Sequence, residues 1–332
     1  SMLMSVALLQ LFLIAGLMPC IMANERIRIA VSIEALRTII APIGESLVEI
    51  DVLLPEGVEP HLFQVSPSVI ERAELAELIV HTGHFEFEYK LVEVLNKEFL
   101  GLEDYKKNGL ILLNYPGTDK PNIHGYWLYP DNALAIAKTV TDKLIKLDPA
   151  HSEVYKANFE AFKERLAKLK SFIARSMKER GLTGARVITA APAEQYLAAS
   201  LGLNVMAFIS REHNVFLSGK ELQDVESKLR EGEYLFILMS DVSEAGKAGD
   251  FAEQISADTN RPLIKVKVLS SKDIPDYFSL MTYNLGLVIS SQLSRAPGEG
   301  GSSLLMISTI AGLLIIAIFE GFLIVRLRRG AT

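Results

Sequence analysis

The six histidines of this 332-residue chain are the side chains best suited to bind a metal ion. Imidazole suits zinc, manganese-type and iron sites, and a neutral ring needs an acceptor that fixes its tautomer. His61 stands apart because Pro60 precedes it in a turn rich in proline and glycine, which would hold the ring rigidly. His151 begins a charged helix and is expected to be exposed or to cap it. The other five follow predicted strands or lie in loops, where open α/β sheets place their ligands: His61, His81, His84, His124 and His213.

Other chemistries lack the residues that they need. The chain has no His-Glu-x-x-His, no Gly-x-Ser-x-Gly and no phosphate-binding glycine loop, so an exported metallohydrolase is the least favoured function and no enzyme is predicted. Cys20 is the only cysteine, which excludes disulfides and thiolate metal sites from the outward-facing part. The 40 acidic and 34 basic residues give a net charge of −6 without a basic patch, so nucleic acid is not an expected partner.

The elements that must position these histidines alternate between strands and helices. Residues 26–32 alternate like a strand, and residues 33–43 place apolar side chains on one helical face. Further strands are predicted at 48–54, 78–83 and 110–113, with helices at 67–76 and 88–100. Such alternation indicates a mainly parallel sheet covered on both faces.

A helical pattern then runs from 131 to about 181 and is interrupted once, at Asp148-Pro149. Its second part, 150–180, would be roughly 45 Å long at 1.5 Å per residue. One small lobe does not need a helix of that length, so we expect it to run along two lobes. It carries aromatic and aliphatic residues at spacings of three and four: Tyr155, Phe159, Phe162, Leu166 and Leu169.

The alternation returns in the second half of the chain. Strands are predicted at 186–189, 204–209, 234–239 and 263–268, and helices at 193–201, 217–231, 249–258 and 277–293. The predicted fold class is therefore α/β, with two Rossmann-like lobes joined by a long rigid helix, followed by a C-terminal transmembrane helix.

Both ends of the chain predict a membrane-tethered, outward-facing protein. Residues 304–325 are apolar except for Ser308, Thr309 and Glu320, and a helix of this length can span a bilayer. The three arginines among residues 326–329 should stay in the cytoplasm. The apolar start of the chain is typical of a secretory signal, with an uncleaved N-terminal helix as the alternative and lipidation at Cys20 left open. The predicted segments are 1–23 signal peptide, 24–128 N-terminal lobe, 129–180 linking helix region, 181–293 C-terminal lobe, 294–303 flexible tether, 304–325 transmembrane helix and 326–332 cytoplasmic tail.

Several motifs resemble the zinc/manganese-type substrate-binding proteins of ABC importers. The most specific is Val52-Leu-Leu-Pro-Glu-Gly-Val-Glu-Pro-His61, and Ser66-Pro-Ser68 follows it. Trp127-Leu-Tyr-Pro-Asp-Asn132 resembles the entry to that family's linking helix, and Tyr283-Asn-Leu285 resembles its final helix. The resemblance covers residues 26–293 and implies two α/β lobes, a rigid linking helix and a metal held between the lobes.

The resemblance also implies a set of metal ligands, which this chain matches only in part. The first ligand falls on His61, and the second falls on Gly125, one residue after His124. The third and fourth fall on Ala191 and about Ser270, so the second lobe has lost both strong ligands. His61 and His124 are therefore the predicted metal residues. Further candidates for the cleft are His84, Glu194, Glu212, His213, Asp241 and Ser270.

The resemblance implies a binding protein on the cell membrane, with its main domain extracellular. It would capture a divalent zinc- or manganese-class ion as cargo and deliver it to an ABC permease with its ATPase. The alternative keeps the fold and loses the metal, so that the lobes bind another solute or a partner protein, as an adhesin or sensor would.

Overall fold

Two four-stranded parallel sheets, each flanked by helices, carry the fold. The computed structural model describes residues 26–212 and 215–293. The first lobe holds one sheet in the strand order β2-β1-β3-β4, with every pairing parallel. Its elements are β1 (Ile27–Val31), α1 (Glu34–Gly44), β2 (Val48–Val52), α2 (Pro67–Glu74), β3 (Leu78–His81), α3 (Glu86–Val94) and β4 (Phe99–Gly101).

Two helices link the lobes, α4 (Pro130–Leu147) and α5 (Ser152–Glu179). They separate at Asp148 because Pro149 has no backbone N–H and clashes with a continuing helix. The Asp148 carboxylate holds the break, since it accepts a hydrogen bond from the Tyr155 hydroxyl at 2.8 Å and contacts His151 Nδ1 at 2.6 Å. The 28 residues of α5 span about 42 Å, which confirms the predicted long helix.

The second lobe repeats the plan with the strand order β10-β9-β5-β6, again entirely parallel. A short antiparallel hairpin, β7 with β8, stands beside this sheet. The elements are β5 (Arg186–Thr189), α6 (Glu194–Ser200), β6 (Asn204–Phe208), β7 (Ser210–Glu212), β8 (Val215–Phe216), α7 (Gly219–Glu231), β9 (Ile237–Ser240), α8 (Asp241–Glu244), α9 (Lys247–Thr259), β10 (Leu263–Val266) and α10 (Tyr277–Leu293).

The two lobes share one apolar core. Side chains alternate across a strand, so Phe236 and Leu238 face one side of the second sheet while Ile237 and Met239 face the other. The first pair belongs to the large core that also contains the first lobe, and the second pair packs under the outer helices. Both lobes lie in one compact unit that ends at Ser290. The predicted two-lobe α/β fold with a long helix is thus confirmed.

The predicted helix at 88–100 is wrong in its second half. Helix α3 ends at Val94, and Phe99–Gly101 forms the edge strand β4 beside β3, with Phe99 opposite Ile79. The edge of β3 offers unpaired backbone groups, and satisfying them outweighs the local preference of this segment for a helix.

The predicted strand at 110–113 does not form, because side chains take the backbone groups that a neighbouring strand would pair. Ile111 N–H donates to Asn132 Oδ1 at 2.7 Å, and Asn132 Nδ2 donates back to the Ile111 carbonyl at 2.9 Å. Leu113 N–H donates to the hydroxyl of Tyr196 at 2.9 Å. The β7–β8 hairpin and the short helix α8 were not predicted.

The predictions for the chain ends lie outside the described residues. These are the signal peptide at 1–23, the tether at 294–303, the transmembrane helix at 304–325 and the tail at 326–332. Among the residues that the structure describes, no helix is both long and apolar enough to cross a membrane.

Candidate metal centre

His61 is presented by a short 3-10 turn, Pro60–Leu62, beyond the end of β2. Pro60 stands at the start of this turn, where its missing N–H costs nothing. Glu59 closes the turn, because its carboxylate accepts a hydrogen bond from Leu62 N–H at 2.9 Å. The turn that the sequence pattern singled out thus forms, one local hydrogen bond closes it, and it carries an exposed His61.

His84 lies in the loop that follows β3, and the buried Glu88 of α3 shapes that loop. The Glu88 carboxylate accepts hydrogen bonds from the backbone N–H groups of Thr82, His84 and Phe85 at 2.8–3.0 Å, and from the Thr82 hydroxyl. Glu88 is only 1 % exposed, so these donors satisfy a charge that water does not reach. Glu88 therefore fixes the backbone from which His84 extends.

His124 is anchored by Asn122, whose side chain bridges the two lobes. Asn122 Oδ1 accepts from His124 N–H at 2.9 Å, while its Nδ2 donates to the Pro192 carbonyl and to Gln195 Oε1, both at 2.8 Å. Asn122 is fully buried, so all of these bonds form away from solvent. The loop that carries His124 is thereby tied to the start of the second lobe.

The structure brings the three histidines together. The ring centroids of His84 and His124 are 4.4 Å apart, those of His61 and His84 are 4.9 Å apart, and those of His61 and His124 are 5.9 Å apart. One nitrogen from each ring lies within 4.8 Å of the other two. Nitrogens bound to one ion at roughly 2.1 Å are about 3–4 Å apart, so small side-chain rotations would complete the site.

His84 is held neutral at the centre of this cluster. Its Nε2 atom is buried and has no hydrogen-bond partner among the described residues. Burial, together with the smaller effects of the neighbouring His124 and His61, lowers the pKa of His84 to about 3. A buried nitrogen without a partner is rare in folded proteins and calls for a functional explanation, such as a missing ion.

This arrangement predicts acid sensitivity of the metal-free protein. Between the ordinary pKa of 6.5 and the folded value of about 3, the unfolded chain binds the His84 proton and the folded chain does not. The free energy of unfolding should therefore fall as the pH falls through that window. Urea denaturation in the presence of chelator, at neutral pH and at several acid values, measures it. In His84→Asn the slope should flatten, and an unchanged slope would contradict the assignment.

The second lobe closes the site with apolar groups. The small cavity at the histidines is bounded by Ala193, Val242, Val268 and Leu269. In the part of the chain that the structure describes, the clustered ligand atoms all come from the first lobe, and no carboxylate joins them. The centre therefore offers three nitrogen ligands from the first lobe. On the side that faces the second lobe, the clustered residues supply no further ligand for a metal ion.

Glu194, a predicted cleft residue, serves the second lobe in another way. Its buried carboxylate accepts from Ala191 N–H at 2.9 Å, from Ser240 N–H at 2.8 Å and from the Ser243 hydroxyl at 2.5 Å. Burial raises the pKa of Glu194, while the Ser243 and Ser240 hydrogen bonds lower it. Glu194 ties together the loops after β5 and β9 and does not join the histidine cluster.

Two further predicted cleft residues, Asp241 and Ser270, are also outside the cluster. Asp241 accepts a hydrogen bond from Val268 N–H at 3.1 Å, and burial raises its pKa. Ser270 is buried with φ +73°, and its hydroxyl has no partner within the described chain. Glu212 ends β7, and His213 lies outside the described residues.

Gly125 shows why the second histidine stands at 124. Its φ is +78°, and a β-carbon there would lie 2.3 Å from the Ala193 carbonyl oxygen, so the position has no room for a side chain. The resemblance placed a ligand at 125, and the neighbouring His124 supplies the ring instead. Asn122 was not predicted from the sequence. Glu88 stood out only as a neighbour of the candidate ligand His84, and its capping role could have been read from its place as the third residue of α3.

Gly125→Ala is therefore expected to lower the free energy of unfolding by about 2 kcal/mol or more, from left-handed backbone strain plus the clash with Ala193. Gly117→Ala is the matched control, because Gly117 has φ +72° but nothing within 4 Å of the added carbon. Urea denaturation of both variants separates the two causes. Equal losses would show that the close approach of the lobes at Gly125 is unimportant.

The sequence of this chain is similar to a known protein family and to several of its members. A family profile described as "Zinc-uptake complex component A periplasmic" (ZnuA) matches residues 29–288. The manganese ABC transporter substrate-binding lipoprotein PsaA of Streptococcus pneumoniae is 22 % identical over 306 residues, which cover 85 % of this chain and 96 % of PsaA. The iron-binding protein YfeA of Yersinia pestis is 22 % identical over 278 residues, covering 80 % and 86 %.

A solved structure shows the same architecture. The substrate-binding protein FpvC of Pseudomonas aeruginosa, in complex with Ni²⁺, superposes with a TM-score of 0.66 at 23 % identity, covering 83 % of this chain and all of that one. At this level of identity the likeness supports the fold, with two lobes and a long linking helix.

Proposed function

Because this chain belongs to the ZnuA family of metal-binding substrate-binding proteins, we propose that His61, His84 and His124 capture a divalent metal ion as cargo for an ABC importer. The observation that carries the proposal is the buried, unpartnered Nε2 of His84 beside two further rings. Its lone pair is available at neutral pH, because the pKa of His84 is about 3. No catalytic step is required of such a protein.

The ligand set favours some metals over others. Relatives of this chain bind manganese, iron or nickel according to their names. Imidazole suits zinc, nickel, copper and iron, whereas carboxylate and carbonyl oxygens suit manganese. Three imidazoles without a clustered carboxylate therefore favour zinc or nickel over manganese at this site.

The position of the protein in the cell is proposed from the sequence and the family. A signal peptide at 1–23 would export the chain, and the apolar segment 304–325 would tether the lobes through the linker at 294–303. The lobes, bounded as predicted at 24–128 and 181–293, would then meet a permease and its ATPase outside the membrane. Membrane fractionation of the full chain and of a chain shortened at 303 tests the tether; equal release of both would reject it.

Metal titration of the purified chain tests the proposed function. Zinc, nickel, manganese and iron(II) are titrated by calorimetry into the wild type, His61→Ala and His124→Ala. Binding in the wild type that weakens in both variants would support the proposal, and anomalous scattering from crystals would place the ion. Absence of binding at micromolar metal would reject it.

The main alternative is the same fold without a metal, binding another solute or a partner protein. It is favoured by Ala191, which has no ligand atom, and by the apolar groups of the second lobe. Binding of a metal-free solute that is unaffected by His61→Ala would support this alternative.

A further inference from the structure

The cavity at the three histidines is small, and its size limits how many ligands a bound ion can take. Its volume is about 40 Å³. A water molecule occupies about 30 Å³ in the liquid, so the cavity has room for an ion and roughly one water. An octahedral ion held by three imidazoles needs three further ligands, whereas a tetrahedral ion needs one. The volume therefore fits four-coordinate binding.

The side chains that enclose the cavity opposite the histidines are apolar. On the first-lobe side the rings of Phe85 and Trp127 border it, and the ring centroid of Phe85 lies 4.7 Å from that of His84 and 5.0 Å from that of His61. The second lobe contributes four apolar side chains, namely Ala193, Val242, Val268 and Leu269. None of these six side chains has a lone pair that it can give to a divalent ion.

The polar groups nearest to the cavity are already engaged. The Val268 N–H donates to Asp241 Oδ1 at 3.1 Å, and the Val268 carbonyl accepts from Trp127 Nε1 at 3.1 Å. Glu59 also borders the cavity, but its carboxylate accepts the Leu62 N–H at 2.9 Å and is not among the clustered ligand atoms. Within the described residues, a water molecule is therefore the fourth ligand for which the site has room.

Val242 and Leu269 lie between this cavity and a larger space. A groove of about 420 Å³ adjoins the cavity, and both side chains line the two spaces, as Glu59 does. The groove has room for many waters, since each takes about 30 Å³. The bulk of Val242 and Leu269 thus limits how much of that water reaches an ion at the histidines.

We propose that Val242 and Leu269 determine the metal specificity of the site, because they restrict the bound ion to three imidazoles and one water. Tetrahedral four-coordination is usual for zinc, whereas tetragonal geometry suits nickel and octahedral geometry suits manganese. Selectivity among such ions comes from geometry and ligand type more than from raw affinity. This inference rests on the proposed function and narrows its cargo from zinc or nickel to zinc. The second lobe influences the choice of metal without supplying a ligand.

Cobalt(II) spectroscopy and metal titration of the full chain test the inference. Tetrahedral cobalt(II) absorbs visible light much more strongly than octahedral cobalt(II), so the wild-type complex should show intense bands. The double variant Val242→Ala/Leu269→Ala should join the cavity to the groove, admit further waters and weaken these bands. Its ratio of nickel to zinc dissociation constants should fall about tenfold or more, since changes around a metal site typically alter affinity roughly 10–100-fold.

Val58→Ala is the matched control, because Val58 lines the groove but does not border the cavity. Its cobalt spectrum and its ratio of nickel to zinc dissociation constants should equal those of the wild type. The double variant should still bind zinc, because all three histidines remain, and this binding shows that the variant folds. Leu269→Ala alone should give a smaller change in the same direction.

The outcomes separate this inference from the proposed function. Weak, octahedral cobalt bands in the wild type would overturn the inference and leave metal capture standing. Unchanged bands or an unchanged nickel-to-zinc ratio in the double variant would also overturn it. Glu59→Gln keeps an oxygen for the Leu62 N–H, so a loss of zinc affinity of about tenfold or more in that variant would make the fourth ligand a carboxylate and the inference wrong. Failure of the wild type to bind zinc, nickel or cobalt would overturn the proposed function itself.

Discussion

Replacing His84 with alanine should weaken metal binding at least about a hundredfold, because losing even an outer-shell partner typically costs roughly 10–100-fold and His84 would be a direct ligand. His84 is the ring nearest to both of the others, and its buried Nε2 has no other partner in the described chain. Competition titration with a fluorescent zinc indicator measures the change. Within residues 26–212 and 215–293 the His84 ring forms no hydrogen bond, so the fold should survive the substitution.

His151→Ala is the matched control, because His151 lies at the start of α5, outside the cluster. Its zinc affinity should equal that of the wild type. If His84→Ala kept full affinity while His61→Ala lost it, the ion would be held elsewhere around His61 and the three-histidine centre would be wrong.

The second large effect is expected on stability. Glu88→Ala should lower the free energy of unfolding by about 3 kcal/mol or more, because hydrogen bonds to charged groups contribute about 1.5–3 kcal/mol each and unsatisfied buried donors add to the cost. The backbone N–H groups of Thr82, His84 and Phe85 would lose their acceptor. Metal affinity should fall as well, since the loop that carries His84 would lose its fixed shape. Urea denaturation measures the first effect, and zinc titration at low temperature measures the second.

Glu93→Ala provides the control, because Glu93 is an exposed glutamate on the same helix α3. It should change the free energy of unfolding by less than about 0.5 kcal/mol, as surface substitutions usually do. A Glu88→Ala protein as stable as Glu93→Ala would mean that the loop does not depend on the buried carboxylate.

Much of the fold could be predicted from the sequence because its elements have strong periodicity. The break between α4 and α5 was visible as Asp148-Pro149, and the parallel lobes followed from alternating strands and helices. Strand β4 could not be predicted, since it depends on pairing with β3, which is distant in the sequence. The strand predicted at 110–113 is absent for the same reason. Asn132 and Tyr196, which are distant in the sequence, accept hydrogen bonds from its backbone N–H groups.

The site, too, has features that the local sequence predicts and features that it does not. His61 was recognisable because it lies in a local turn. The residues that form such a turn are adjacent in the sequence, so its pattern can be seen there. The association of His84 with His61 and His124 depends on three loops meeting at one sheet edge, which no local pattern reports. Likewise, Glu194 looked like a ligand by its position after β5, and only the arrangement of Ser240 and Ser243 shows that its oxygens are already occupied.

The origin of all three clustered nitrogens in the first lobe has a kinetic consequence. Where ligands are divided between two lobes, parting the lobes breaks the coordination sphere and frees the ion. Here the ion would keep every protein ligand when the cleft opens, and only its exposed side would change. Its rate of release should then depend on the concentration of a competing acceptor, which stopped-flow transfer to a chelator would show. Hand-over to a permease would become a ligand exchange in which each incoming donor displaces one imidazole at a time.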